Sequence, residues 1–233
     1  MKINDKYNNL SIQAKAALWY SFCNIVQKGI SFFVIPLYVR VLTTEEYGKY
    51  AVFNSWSSIL IIFATLNLYC GVFTKAMVDY DKDRDRYISC MQSLSTIITL
   101  VLFIVYLGFS NSINNILVAD STTIIMLFTY YITFPAFSFW AVRQRVEYKY
   151  INMVTLSLLT AILCPTISII LLKTTQLREL AIIRGTFAVQ IIIGLYFYIK
   201  QFVIGKFCLY DKYYWKHALK FNIPLIPHYL SLI

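Results

Sequence analysis

The chain has 233 residues, 59% of them hydrophobic and 14% charged, with a mean hydropathy of +0.62. A soluble domain runs at about 45–50% apolar and about 25% charged, so an ordinary soluble domain, a disordered chain and a nucleic-acid-binding module are excluded. The net charge of +10 arises from basic residues lying between long apolar blocks, the pattern of a membrane protein with basic loops.

The polar start, residues 1–9, leads into a block too long for a signal-peptide core, so no cleaved leader is expected. A membrane span needs about 20 mostly apolar residues. Six blocks meet that length: 17–39, 51–74, 89–109, 122–142, 151–172 and 180–200. A seventh begins near Leu219 and is interrupted by Pro224 and Pro227 before it reaches Ile233. The fold class is therefore an all-α membrane protein. Residues 1–216 form a unit of six transmembrane helices, and residues 217–233 form the truncated start of a seventh span. The chain is expected to be the N-terminal part of a larger transporter.

Basic residues set the orientation of such a bundle. With the N-terminus inside, fifteen Lys and Arg fall on the inner side, from Lys2, Lys6 and Lys15 through Lys75, Lys82, Arg84 and Arg86 to Arg143, Arg145 and Lys149, and finally Lys200, Lys206, Lys212, Lys216 and Lys220. Only Arg40, Lys49, Lys173 and Arg178 fall outside. The segment Ser110 to Ser121 has neither Lys nor Arg, as suits an outer loop. Aromatic residues near block ends, among them Trp19, Trp140, Tyr198 and Tyr213 to Trp215, are expected to anchor the spans at the lipid interface. The alternating run Asp79 to Arg86 reads as a solvated inner turn, with a gating ion pair as the alternative. The five cysteines show no ligand spacing, so four read as apolar fillers and Cys208 as a loop thiol.

Polar residues inside the blocks carry the functional signal. Lys28 lies near the middle of the first span, where a charge costs at least about 2.5–3.5 kcal/mol on insertion scales. Ser21, Asn24, Lys28 and Ser31 follow one another at spacings of 3, 4 and 3 and share one helix face. Such a stripe suits one wall of a wet cavity with Lys28 as its cation. The other reading is a lysine neutralised by burial or bonded to helix carbonyls. Asn54, Ser58 and Thr65 form a second stripe, equally suited to lining a cavity and to hydrogen bonding between helices. Arg184 lies close enough to the outer end of the sixth span either to snorkel out or to face a cavity. Pro36, Pro135 and Pro165 fall inside spans, where they serve packing or motion. His217 reads as an interfacial loop residue, and His228 as a cavity or core histidine. No nucleotide-binding, metalloprotease or hydrolase motif is present, so no enzyme and no cofactor are expected.

One loop is more specific. Arg40-Val41-Leu42-Thr43-Thr44-Glu45-Glu46-Tyr47-Gly48-Lys49-Tyr50 contains a capping box, Thr43 with Glu46, that opens the second span, and Gly48 is expected to permit close helix approach. This string resembles the first loop of bacterial polysaccharide-repeat flippases, the O-antigen and teichoic-acid exporters of the polysaccharide biosynthesis protein family. Phe221-Asn222-Ile223-Pro224-Leu225-Ile226-Pro227-His228 resembles the start of that family's seventh span. The resemblance implies one six-helix lobe of a two-lobe flippase in the bacterial cytoplasmic membrane. It implies a cargo of undecaprenyl-pyrophosphate-linked oligosaccharide, moved from the inner to the outer leaflet by alternating access around a cationic cavity. Lys28 would then bind the diphosphate, Arg184 would assist, and Ser21, Asn24, Ser31, Asn54 and Ser58 would line the sugar path. The implied partners are that lipid-linked oligosaccharide, the bilayer and other membrane proteins of polysaccharide assembly, with no nucleic acid. The competing expectations are a cation-coupled multidrug exporter of the same superfamily and a membrane polymerase or ligase.

Overall fold

The computed structural model describes residues 8, 10–174 and 177–232. Lys2, Lys6 and the chain end at Ile233 lie outside the described residues. The long helices are α1 (Ile12–Val41), α2 (Thr44–Thr65), α4 (Arg84–Gly108), α6 (Ser121–Val146), α7 (Tyr150–Leu172) and α8 (Arg178–Ile204). The shorter ones are α3 (Val72–Asp79), α5 (Ser110–Leu117), α9 (Lys212–Asn222) and α10 (Ile226–Leu230), with a 3₁₀ turn at Ile223–Leu225. All of them except α2 and the four short helices are long and apolar enough to cross a membrane. α2, at 22 residues, is about 33 Å long but carries Asn54, Ser55, Ser57 and Ser58, which lower its hydropathy.

Local chemistry explains the helix starts. Ser11 caps α1, its hydroxyl accepting from the Ala14 amide at 3.3 Å. The predicted capping box forms at α2: Glu46 N–H donates to Thr43 Oγ1 at 3.3 Å and Thr43 N–H donates to Glu46 Oε2 at 2.7 Å. Asp211 caps α9 by accepting from Tyr213 N–H at 3.0 Å. Pro36, Pro135 and Pro165 lie inside α1, α6 and α7 as expected.

The packing order differs from the chain order. α6 and α8 form the central pair, α7 packs on α8, and α1 packs on α7 rather than chiefly on its neighbour α2. α4 covers the other side of α6. Half of the most apolar stretch of α4, α6 and α8 is buried within the bundle, against 11% for α1 and 17% for α7. Between helices in lipid, close approach and polar bonds replace the hydrophobic drive. A Cβ on Gly194 would lie 2.7 Å from the Thr133 carbonyl oxygen, and one on Gly185 would lie 2.5 Å from Ser168 Cα. Ser168 Oγ donates to the Ile182 carbonyl at 2.9 Å, Gln201 Nε2 to the Ala136 carbonyl at 2.8 Å, and Gln92 Nε2 to the Tyr198 carbonyl at 2.9 Å. Gly48 is not a close-approach position: a Cβ there would meet nothing within 4 Å, because it sits on the open side of α2.

Three further expectations are corrected. The block 51–74 is not one helix. α2 ends at Thr65, and Leu66 and Asn67 adopt φ of 47° and 45° before Gly71 at 57°. The turn buries Leu68 and Phe73 in one core, which a straight helix could not do. Burial of that apolar surface offsets the roughly 1–2 kcal/mol that each left-handed non-glycine residue costs. In the final segment the helix α9 starts at Lys212, where the Asp211 cap sets its start, ahead of the apolar block. Cys90 and Cys208 are joined as a disulfide with Cα atoms 5.2 Å apart; they are 118 residues apart in the chain, so spacing gave no sign of the pair. Finally, several supposed interface aromatics pack inside. Tyr214 is buried against Tyr80 and Tyr87, and Trp140 stacks on Phe197 at 4.5 Å.

Candidate functional site

Two adjoining cavities run beside α1. The first, of 640 Å³, lies between α1, α6, α7 and the broken segment after α2, and its polar lining includes Tyr20, Asn24, Tyr69, Thr74, Ser138 and Arg145. The second, of 470 Å³, continues toward the far end of α1, with Ser31, Tyr38, Tyr47, Tyr50, Thr160 and Gln190 in its wall. Gln27, Phe137 and Ser157 belong to both. Gln27 Nε2 donates to the Ser157 carbonyl at 3.3 Å, a bridge from α1 to α7 at the junction. Together the cavities make a trough walled by amides, hydroxyls and aromatic rings inside an otherwise apolar bundle.

The break after α2 shapes the first cavity. Gly71 lies in its wall, and a Cβ there would sit 3.4 Å from Phe221 and from the Tyr229 hydroxyl. The left-handed turn therefore lets the polypeptide pass beside the α9–α10 region, and Tyr69 and Thr74 on either side reach the trough.

The structure divides the predicted residues. Asn24 and Ser31 line the trough. Ser21 and Lys28, on the same helix, are exposed farther round α1 and line neither cavity. Lys28 forms no ion pair among the described residues. Asn54 is half-buried on α2, one turn from Tyr50 of the trough wall, and lines neither cavity. Ser58 is exposed and donates to its own helix at the Asn54 carbonyl, 2.9 Å. Thr65 is buried, bonding the Ile61 carbonyl at 2.7 Å, and closes the helix end. Arg184 turns away from the trough and donates to Asp120 at 2.7 Å and to Thr123 at 2.9 Å. Burial opposes ionisation of Asp120, but hydrogen bonds from Thr123 and Arg184 hold its carboxyl below the usual range. His217 is half-buried in α9, and His228 is exposed in α10.

Reasoning from the blocks missed Arg145. It counts as an inner-loop charge if the fourth span stops at 142, yet α6 continues to Val146. Phe134, Phe137, Ser138, Ala141, Val142 and Arg145 recur at helical spacing and all face the first cavity. That periodicity was the available signal. Arg145 forms no ion pair among the described residues. Its neighbour Arg143 is instead held by Asp85 and by Glu147 at 2.7 Å. Arg84 joins this cluster through Glu147 at 3.9 Å and also pairs with Asp81 at 2.8 Å, so the alternating run is an ion-paired turn. Burial would raise the Glu147 carboxyl, but hydrogen bonds from Lys149 and Arg143 hold it below its ordinary value.

Long apolar helices around a polar trough define a multi-pass α-helical membrane protein. The sequence profile of the polysaccharide biosynthesis protein family matches residues 14–233, nearly the whole chain. The chain belongs to that family. No curated protein and no solved structure matches it.

Proposed function

We propose that the chain works in a flippase that moves lipid-linked oligosaccharide repeat units across the bacterial cytoplasmic membrane, its N-terminus facing the cytoplasm. The observation that carries this reading is the polar trough beside α1 with Arg145, which forms no ion pair among the described residues, in its wall. Sugars need hydrogen-bonding partners along their path, and the trough supplies amides and hydroxyls from α1, α6, α7 and α8. A diphosphate crossing hydrocarbon needs compensating charge, which Arg145 offers as a planar fork of donors and Lys28, one helix face away, offers as a compact ammonium. The polyprenyl tail stays in lipid. Alternating access rocks this six-helix lobe against a second lobe around the fixed site, with no covalent step.

The test is a strain lacking the gene, probed with a reagent for lipid-linked sugar that cannot cross the inner membrane. Complete repeat units confined to the cytoplasmic leaflet support the flippase. Units that reach the outer leaflet yet stay unpolymerised overturn it in favour of a polymerase or ligase. Normal polymer overturns it in favour of another cargo, with drug sensitivity as the next measurement.

A further inference from the structure

The end of the bundle where α8 stops carries two more cavities, which the transport reading does not use. The larger, of 620 Å³, is walled by Lys82, Asp83, Asp85 and Arg86 before and within α4 and by residues 204–210 of the α8–α9 linker. The smaller, of 180 Å³, shares Asp85 and Ile204 with it and adds Glu147, Lys149 and Lys200.

Most charges here are already satisfied. Asp85 pairs with Arg143, Glu147 with Arg143 and Lys149, and Arg86 with Asp211 at 3.3 Å. Three cations, Lys82, Lys200 and Lys206, remain without an ion pair among the described residues. Asp83 is the one acid of these walls in the same position. The excess is positive. Lys206 and Phe207 hold successive left-handed φ of 53° and 51°. Their amides are used within the chain, on the Val203 and Phe202 carbonyls, so recognition of an anion rests on side chains.

Beside these cations stands an exposed apolar rim, with Phe207 62%, Leu209 61% and Tyr210 63% exposed. Cations next to exposed apolar and aromatic groups at a helix end fit the level where acyl chains meet headgroups. We propose that this end binds the phosphodiester headgroup of an anionic phospholipid, with Lys82 and Lys206 on the phosphate and the Phe207–Tyr210 rim against its acyl chains. The proposal is independent of the cargo.

The test titrates the full chain, purified in mild detergent, with phosphatidylglycerol and with phosphatidylcholine, and reads bound lipid by native mass spectrometry. Phosphatidylglycerol is expected to bind preferentially. Replacing both lysines, Lys82→Gln with Lys206→Gln, is expected to weaken it roughly thirtyfold, about fivefold for each basic residue lost beside an anionic headgroup. Lys173→Gln, at the opposite end of the bundle, should leave binding unchanged. Both lysines are exposed, and a retained melting temperature shows that the double variant folds. Equal binding of the two lipids, or full binding by the folded double variant, overturns the proposal. Competition by inorganic phosphate as effective as the lipid overturns the lipid assignment.

Discussion

Arg184 and Asp120 meet at 2.7 Å, tying the first half of α8 to the residue that precedes α6, 64 positions away in the chain. Thr123 bonds both partners, so three side chains make one junction between the two central helices. The Asp120 carboxyl is held below its ordinary value, so its contribution to stability is complete above the unfolded carboxylate range. That contribution is lost as pH falls through the folded value. A double-mutant cycle with Asp120→Asn and Arg184→Gln is expected to give a coupling of about 0.5–1 kcal/mol at neutral pH, since both groups are partly exposed. The coupling should vanish in acid. Thermal melts of the purified chain across pH check this, and a coupling that grows on acidification would refute the junction.

The close approaches on α8 predict a contrast among glycines. Gly185→Ala and Gly194→Ala drive a methyl group into Ser168 and Thr133 backbone, and each is expected to cost about 1–3 kcal/mol. Gly48→Ala meets open space on α2 and is expected to stabilise by about 0.5–1 kcal/mol. Melting temperatures of the three variants in one detergent decide it. Equal shifts would show that helix propensity rather than packing governs these positions.

For transport, Arg145→Ala in the full-length protein is expected to abolish surface polysaccharide while membrane insertion is retained, with Arg145→Lys keeping part of the activity. Immunoblots of polymer and of membrane fractions give the readout. Wild-type polymer from Arg145→Ala would remove the trough cation from the mechanism.

Lys28→Ala carries a separate expectation of lost polymer with retained insertion. Lys28 stands on the outward face of α1, so its effect requires that this face meet the cargo or a second lobe. Normal polymer from that variant would leave Lys28 as a surface residue.

Thr43→Ala removes the hydroxyl half of the α2 capping box and is expected to cost about 1 kcal/mol. Thr43→Ser should restore most of it. A flat response to both would mean that tertiary contacts alone hold the start of α2.

The helices were legible where their signal is local. Five of the six predicted blocks coincide with helices to within a few residues at most ends, because an apolar run of span length has no other way to satisfy its backbone in lipid. The Thr43–Glu46 cap was legible because both partners lie within one turn. Half of the α1 stripe proved to face a cavity: Asn24 and Ser31 do, and Ser21 and Lys28 do not. Periodicity places residues on a common face about 80° wide, and the position of α7 decides where along that width the wall ends.

Composition, span length and charge distribution by themselves determined a polytopic α-helical membrane chain, and two short strings pointed to its family. Tertiary structure decided what those patterns meant in space. It set the turn after Thr65, the pairing of Arg184 with Asp120, the approach of Gly185 to Ser168, and the exposure of Arg145 to the trough. Each of these depends on residues far apart in sequence meeting at one place. The free energy that selects them, from buried side chains, paired charges and close backbones, exists only once the helices have packed.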